Sequence, residues 1–304
     1  MITCSSVNME RNPQTGNSMF TMLELDRGTA VGVALACLAA TMNATGPNLQ
    51  RLGQKKSSSA VNLLGVVLAA SCGVVDMISF SFAPQSVLAP FGSLSLIINL
   101  LLAAPMHGDR VSRSDLLSTA LVISGVATCL ANANTASVSR SYEQLAGLAG
   151  RQAARAWALV LGTLIGLAAT RLRNAGDGPA SAGRFLYPLL AGGLGSVTAL
   201  SGKAVGELLK AGAPMHVVAA VGALLGCTAV SQTVLLNKGV GKFSSLLVVP
   251  IFVAAFVTGN AVGGGLVFDE FSGMTEQQMR SYPVGLALLV GGVLILAGKK
   301  EKAA

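Results

Sequence analysis

The chain has 304 residues, of which 52% are hydrophobic and only 11% charged, with 36 glycines and a formal net charge of +8. A soluble domain carries roughly 25% charged residues, so this composition excludes an ordinary soluble enzyme or binding module and indicates repeated membrane crossing. The positive balance does not point to nucleic acid, because the basic residues sit in short segments between apolar runs, with no basic helix and no aromatic platform.

Residues 1–27 are polar, read as disordered, and lack the apolar stretch of a signal peptide. Apolar runs of the roughly 20 residues needed to cross a bilayer then follow near 28–47, 61–82, 85–106, 115–132, 154–171, 184–208, 214–237, 243–268 and 282–298. Residues 299–304 form a basic tail. Small residues recur in the runs and permit close helix contact in lipid; Gly73, Gly92, Gly125, Gly195, Gly202, Gly259 and Gly263 are read as packing contacts. Of the five cysteines, four lie inside apolar runs, with no CxxC pair and no disulfide framework.

The most informative run is Phe80 to Asp109, which sets Ser93, Ser95 and Asn99 among apolar residues behind Pro84, Pro90 and Gly92. Pro90 precedes Asp109 by 19 residues, and Pro250 precedes Asp269 by the same step, 160 positions later. Leu38–Leu49 and Ala120–Ala131 likewise resemble Leu194–Val205 and Ala287–Gly298. The spacing predicts an all-α membrane protein of nine transmembrane helices. Two inverted four-helix repeats (28–132 and 184–298) are joined by a linking helix at 154–171, with a pathway between them near the midplane. Counting Lys and Arg by loop, thirteen fall on one side and seven on the other. The excess predicts a non-cytoplasmic N-terminus and a cytoplasmic C-terminus.

These same stretches resemble a known family. Phe82-Ala83-Pro84 followed by Val87-Leu88-Ala89-Pro90-Phe91-Gly92-Ser93-Leu94-Ser95 resembles the F-A-P-A-x-L-V-x-P-L-G-A-L-S run of the NIPA-type magnesium transporters, within the drug/metabolite transporter superfamily. Ser201-Gly202-Lys203-Ala204-Val205-Gly206 is similar to that family's S-x-K-x-x-G helix. Leu236-Asn237-Lys238, Leu247-Val248-Val249-Pro250-Ile251 and Phe268-Asp269-Glu270-Phe271 are similar to its L-N-K, L-V-x-P-I and F-K-E-W segments. The chain departs from the pattern at His107-Gly108-Asp109, where the family has L-N-E. It departs again at Gly73 and Asp76, where the family has Glu and Asn. The resemblance implies a Mg²⁺ transporter, and no cofactor is expected beyond Mg²⁺ itself as substrate.

Seven polar residues within or at the edge of the apolar runs are candidates for the pathway. Asp76 is an acid inside an apolar run, a position that normally faces a cavity or a partner. It is the candidate cation ligand, with neutralisation of Lys203 as the alternative role. Lys203 and Glu207 stand four apart, suited to an ion pair, while an unneutralised Lys203 would favour an anionic substrate. Ser95 and Asn99 share a helix face whose counterpart in the second half is Ala255 and Gly259, leaving room for a hydrated solute. Asn43, Asn237 and Asn260 complete the polar set, and Pro90 and Pro250 are expected to bend their helices. Mg²⁺ keeps much of its water and needs only one or two carboxylates. Enzyme motifs are absent from the sequence. The expected function is therefore transport of Mg²⁺ or a related divalent cation by alternating access, with the lipid bilayer and the cation as partners. The alternatives are a metabolite carrier of the same superfamily, taking an anionic or nucleotide-sugar-like solute, and a transport-inactive scaffold.

Overall fold

A chain inside a bilayer must satisfy its backbone hydrogen bonds within itself, and a long apolar run does so as a helix. The computed structural model describes residues 27–107, 112–134, 140–174, 182–243 and 245–297, and within them eleven α-helices and two 3-10 turns account for nearly every residue. These are α1 (Arg27–Lys55), α2 (Ser59–Phe80), α3 (Gln85–Leu88), α4 (Leu94–His107), α5 (Arg113–Asn132), α6 (Tyr142–Gly150), α7 (Gln152–Arg173), α8 (Gly183–Lys210), α9 (Met215–Lys242), α10 (Ser245–Val267) and α11 (Glu276–Ala297). Nine spans among them are long and apolar enough to cross a membrane, as the sequence predicts. The polar N-terminus, Asp109, Arg110 and the basic tail lie outside the described residues.

The third span is not one helix. Pro84 starts α3 after the chain turns out of α2, and a 3-10 turn at Ala89–Ser93 separates α3 from α4. Pro90 stands at the start of that turn. Lacking an N–H, it leaves the carbonyl of Ser86 free, and the Tyr282 hydroxyl donates to that carbonyl at 2.8 Å. α10 instead runs as a single helix through Pro250. A further difference is α6, a short surface helix absent from the expected set. It starts on a reciprocal cap in which Ser141 and Gln144 bond each other's backbone.

Packing places the broken span and α10 at the centre. One apolar cluster joins Leu96, Val122, Val253, Val257 and Leu289 across α4, α5, α10 and α11. A second joins Ala36, Phe80, Leu88, Phe91 and Ala199 across α1, the α2 end, the broken span and α8. α7 lies at the edge, burying Ala154 alone while Leu159, Leu164 and Leu167 face outward. α1 packs on α2 and α4, α8 on α9 and α10, and α5 on α11.

The α5–α11 contact depends on the absence of side chains. A Cβ on Gly125 would lie 2.5 Å from the Leu289 nitrogen and 2.7 Å from the Gly285 oxygen, and neither backbone atom can move aside cheaply. Gly73, by contrast, has nothing within 4 Å and is not a packing contact. Gly125→Val is expected to cost about 1–3 kcal/mol or more and to lower the thermal unfolding temperature of the detergent-purified protein. Gly162→Ala on α7, with open space around it, should leave that temperature unchanged or raise it.

Candidate functional site

The end of the molecule where α1 begins and α8 finishes holds a cavity of about 800 Å³. Its wall comes from the α2–α3 connection (Phe80 to Pro84), the last turns of α8, Arg140, and the chain after α10. Three local signals shape it. Pro84 adopts extended backbone and cannot donate, so α2 cannot continue into α3. Asp269 takes a left-handed conformation (φ 57°), which Asp tolerates better than most residues, and turns the chain out of α10. Gly264 lets that turn come close, because a Cβ there would collide with Gln85.

The turn carries Glu270 back onto the broken span. Its Oε1 accepts from Lys203 Nζ at 2.5 Å and from the Gln85 backbone N–H at 2.7 Å, and its Oε2 accepts from the Ser86 N–H at 2.7 Å. Both charged side chains are 4% exposed. Burial pushes the Glu270 carboxyl upward, but the Lys203 charge and hydrogen bond, with the Ser86 and Gln85 N–H groups, outweigh it and hold the group below its ordinary 4.5. Lys203 also lies 3.8 Å from Glu207 and 4.8 Å from the Phe268 ring centroid. Arg140 reaches Glu207 at 3.4 Å and donates to the Phe268 carbonyl at 2.9 Å, and Arg151 pairs with Asp269. Lys210 donates to the Ser81 carbonyl and stands over the Phe82 ring. Arg140, Arg151 and Lys203 therefore each meet a carboxylate.

The sequence candidates are distributed unevenly around this network. Lys203 is part of it, and Asn260, fully buried, joins through Gln85, whose Nε2 donates to Asn260 Oδ1 at 3.2 Å. Asp76 is half-buried about one turn from the end of α2, and no hydrogen bond or ion pair reaches its carboxylate among the described residues. Lys203 pairs with Glu270 and, as its spacing suggests, with Glu207, not with Asp76. Asn43 is exposed on α1, with the Cys72 sulfur 4.0 Å away on α2. Ser95 bonds the Gly92 carbonyl at 2.8 Å, and Asn99 accepts from Asn48 at 2.6 Å. The small face of α10 does not oppose them: Ala255 lies against Gly192 and Gly259 against Ser196, both on α8. Asn237 is exposed near the far end of α9.

Glu270, Gln85, Ser86 and Tyr282 are absent from the sequence candidates. A signal for Glu270 was present: a lysine in an apolar helix needs a carboxylate, and Glu270 stands in a motif that closes the eighth span. Among the described residues no group of three or more His, Cys, Asp or Glu side chains could cage a metal. The carboxylates at this end, Glu207, Asp269 and Glu270, are each paired with a cation.

Fold and site define a multi-pass integral membrane protein with a charged vestibule at one end. The chain matches the magnesium transporter NIPA family over residues 53–302 and belongs to that family, so it is a transporter-family protein and not an enzyme. It is 23% identical over 236 residues to the probable magnesium transporter NIPA6 of Arabidopsis thaliana, covering 75% of this chain and 70% of the relative. To NIPA7 of the same plant it is 23% identical over 251 residues, covering 79% and 74%. A probable magnesium transporter of Candida albicans is 22% identical over 238 residues, covering 76% and 64%. No solved structure matches the chain.

Removing one member of a buried pair leaves the other charge uncompensated, at a cost of about 3–5 kcal/mol. Lys203→Met is therefore expected to lower the yield of folded, monodisperse protein sharply. Because the folded Glu270 carboxyl is held below 4.5, its contribution is present above that value and is lost as pH falls through the lower, folded one. Glu270→Gln should flatten that acid limb in a stability–pH profile while lowering stability at neutral pH.

Proposed function

We propose that this protein carries Mg²⁺, or a closely related divalent cation, across the membrane by alternating access between its two four-helix halves. The observation that carries the reading is Asp76. A carboxylate in a membrane helix is costly to keep without a counter-charge, and Asp76 has none among the described residues, whereas Lys203 is already satisfied by Glu270 and Glu207. A mobile cation completes that balance. Pairing of Lys203, Arg140 and Arg151 with carboxylates also weakens the case for an anionic organic substrate.

The inverted-repeat reading is supported by the recurrence of packing partners. The first helix of each half packs on the second and third, and the fourth helices of the two halves pack on each other. Transport then consists of rocking the halves about the broken span and α10, with the vestibule open to one side. Loop charge supports an orientation with that side outside the cytoplasm. Tags at Met1 and Ala304 are expected to be accessible from opposite faces of the membrane. Access to both from one face would overturn the nine-span topology.

Asp76→Asn removes the charge and keeps the size. In liposomes carrying the purified protein, saturable Mg²⁺ uptake is expected to fall at least tenfold, with reconstitution unchanged because Lys203 keeps its own partners. Asp76→Glu should retain part of the rate, since water bridges a one-methylene shift. Wild-type uptake by Asp76→Asn would remove this residue from the mechanism. Transport of a metabolite panel in place of Mg²⁺ by the unmodified protein would replace the substrate.

A further inference from the structure

Gln85, Ser86 and Asn260 are each 0% exposed. Each also holds a buried polar atom without a hydrogen-bond partner: Gln85 Oε1, Ser86 Oγ and Asn260 Nδ2. The three residues meet at one junction. Gln85 and Ser86 are consecutive, Gln85 bonds Asn260, and both backbone N–H groups of Gln85 and Ser86 end on the Glu270 carboxylate. A buried polar group left unpaired costs about 1–3 kcal/mol, so three in one place are expensive for a protein that could hold apolar residues there. Their positions are also informative. Gln85 and Ser86 come from the first half of the chain, Asn260 and Glu270 from the second, and Glu270 with Pro84 lines the vestibule.

Resting on the Mg²⁺ reading above, we propose that Gln85, Ser86 and Asn260, with Glu270, form the inner binding chamber for a partly hydrated divalent cation, reached from the vestibule past the Lys203–Glu270 pair. The chemistry matches a hard cation that keeps several waters. The amide oxygen of Gln85 and the hydroxyl of Ser86 serve as oxygen ligands or accept from the ion's waters, and Asn260, whose Oδ1 accepts from Gln85 Nε2 at 3.2 Å, orients that amide. Glu270 supplies the charge once Lys203 leaves it. Lys203 has somewhere to go: Glu207 Oε1 lies 3.8 Å from its ammonium, against 2.5 Å for Glu270 Oε1. Shifting the ammonium from one carboxylate to the other exposes Glu270 to the cation without leaving Lys203 unpaired. Since both halves build the chamber, a rocking motion between them alters it, which is what release requires.

The test exploits opposite effects on stability and transport. The double variant Gln85→Met with Asn260→Leu keeps shape while removing both members of the Gln85–Asn260 hydrogen bond together with two unpaired atoms. Replacing both partners by apolar groups is nearly neutral or stabilising, so the thermal unfolding temperature should be equal to or above that of the wild type. Mg²⁺ uptake in liposomes should fall at least tenfold, and the Mg²⁺-induced thermal shift of the detergent-purified protein should vanish. Uptake and shift at wild-type levels in the double variant, with the wild type active, would overturn the chamber and leave the Mg²⁺ reading intact. A lowered unfolding temperature with full uptake would assign the polar atoms to structural water and also overturn it. A wild-type protein that neither binds nor transports Mg²⁺ would overturn the function itself, and the chamber with it. Should the double variant not fold, Ser86→Ala deletes one unpartnered oxygen and must lower apparent Mg²⁺ affinity several-fold; unchanged affinity would refute the proposal.

Discussion

The Glu270 carboxylate accepts from three donors that arrive from two distant parts of the chain: the Lys203 ammonium on α8 and the backbone N–H groups of Gln85 and Ser86 at the start of the broken third span. In water such contacts contribute little, because solvent competes for every group. Here both charges are nearly fully buried, and each makes the other tolerable. The position of the third span follows from this junction. Without a carboxylate above it, the segment from Pro84 to Ser93 would have two buried N–H groups with no acceptor. The Ser86 carbonyl freed by Pro90 is met separately by Tyr282 from the last helix. Residues of the second half thus hold one irregular segment of the first half in place.

That arrangement also explains how irregular backbone survives at membrane depth. Non-helical backbone is tolerated there only where protein or water satisfies it, and α10 supplies the protein. The Gly264 position admits Gln85, and Gly92 sits against Phe256 and Val257. At this approach Gln85, Ser86 and Asn260 are fully buried, and their polar atoms are not all satisfied.

The electrostatics divide between satisfied and unsatisfied groups. Around the vestibule Arg140, Arg151 and Lys203 are matched to Glu207, Asp269 and Glu270, so the entrance is close to balanced locally. Asp76 stands apart on α2, beside Met77, which touches α8 at Gly202 next to Lys203. In the Mg²⁺ reading proposed above, a balanced entrance and an acid without a paired cation favour a cation over an anion.

The sequence by itself determined the number of spans, most of their limits and the family, because apolar length and motif order are local properties that a bilayer makes decisive. It also marked Lys203 and Asp76, since ionisable residues stand out against an apolar background. It misplaced the polar face of Ser95 and Asn99, and of the two carboxylates beside Lys203 it saw Glu207 but not Glu270. Each of these depends on what lies opposite. Ser95 is turned to its own backbone, Asn99 is taken by Asn48, and Lys203 finds Glu270, 67 residues away, only because Asp269 reverses the chain at φ 57°. Hydropathy records how much a segment avoids water, but a buried donor is defined by the acceptor it meets. Which acceptor that is was decided by tertiary packing alone.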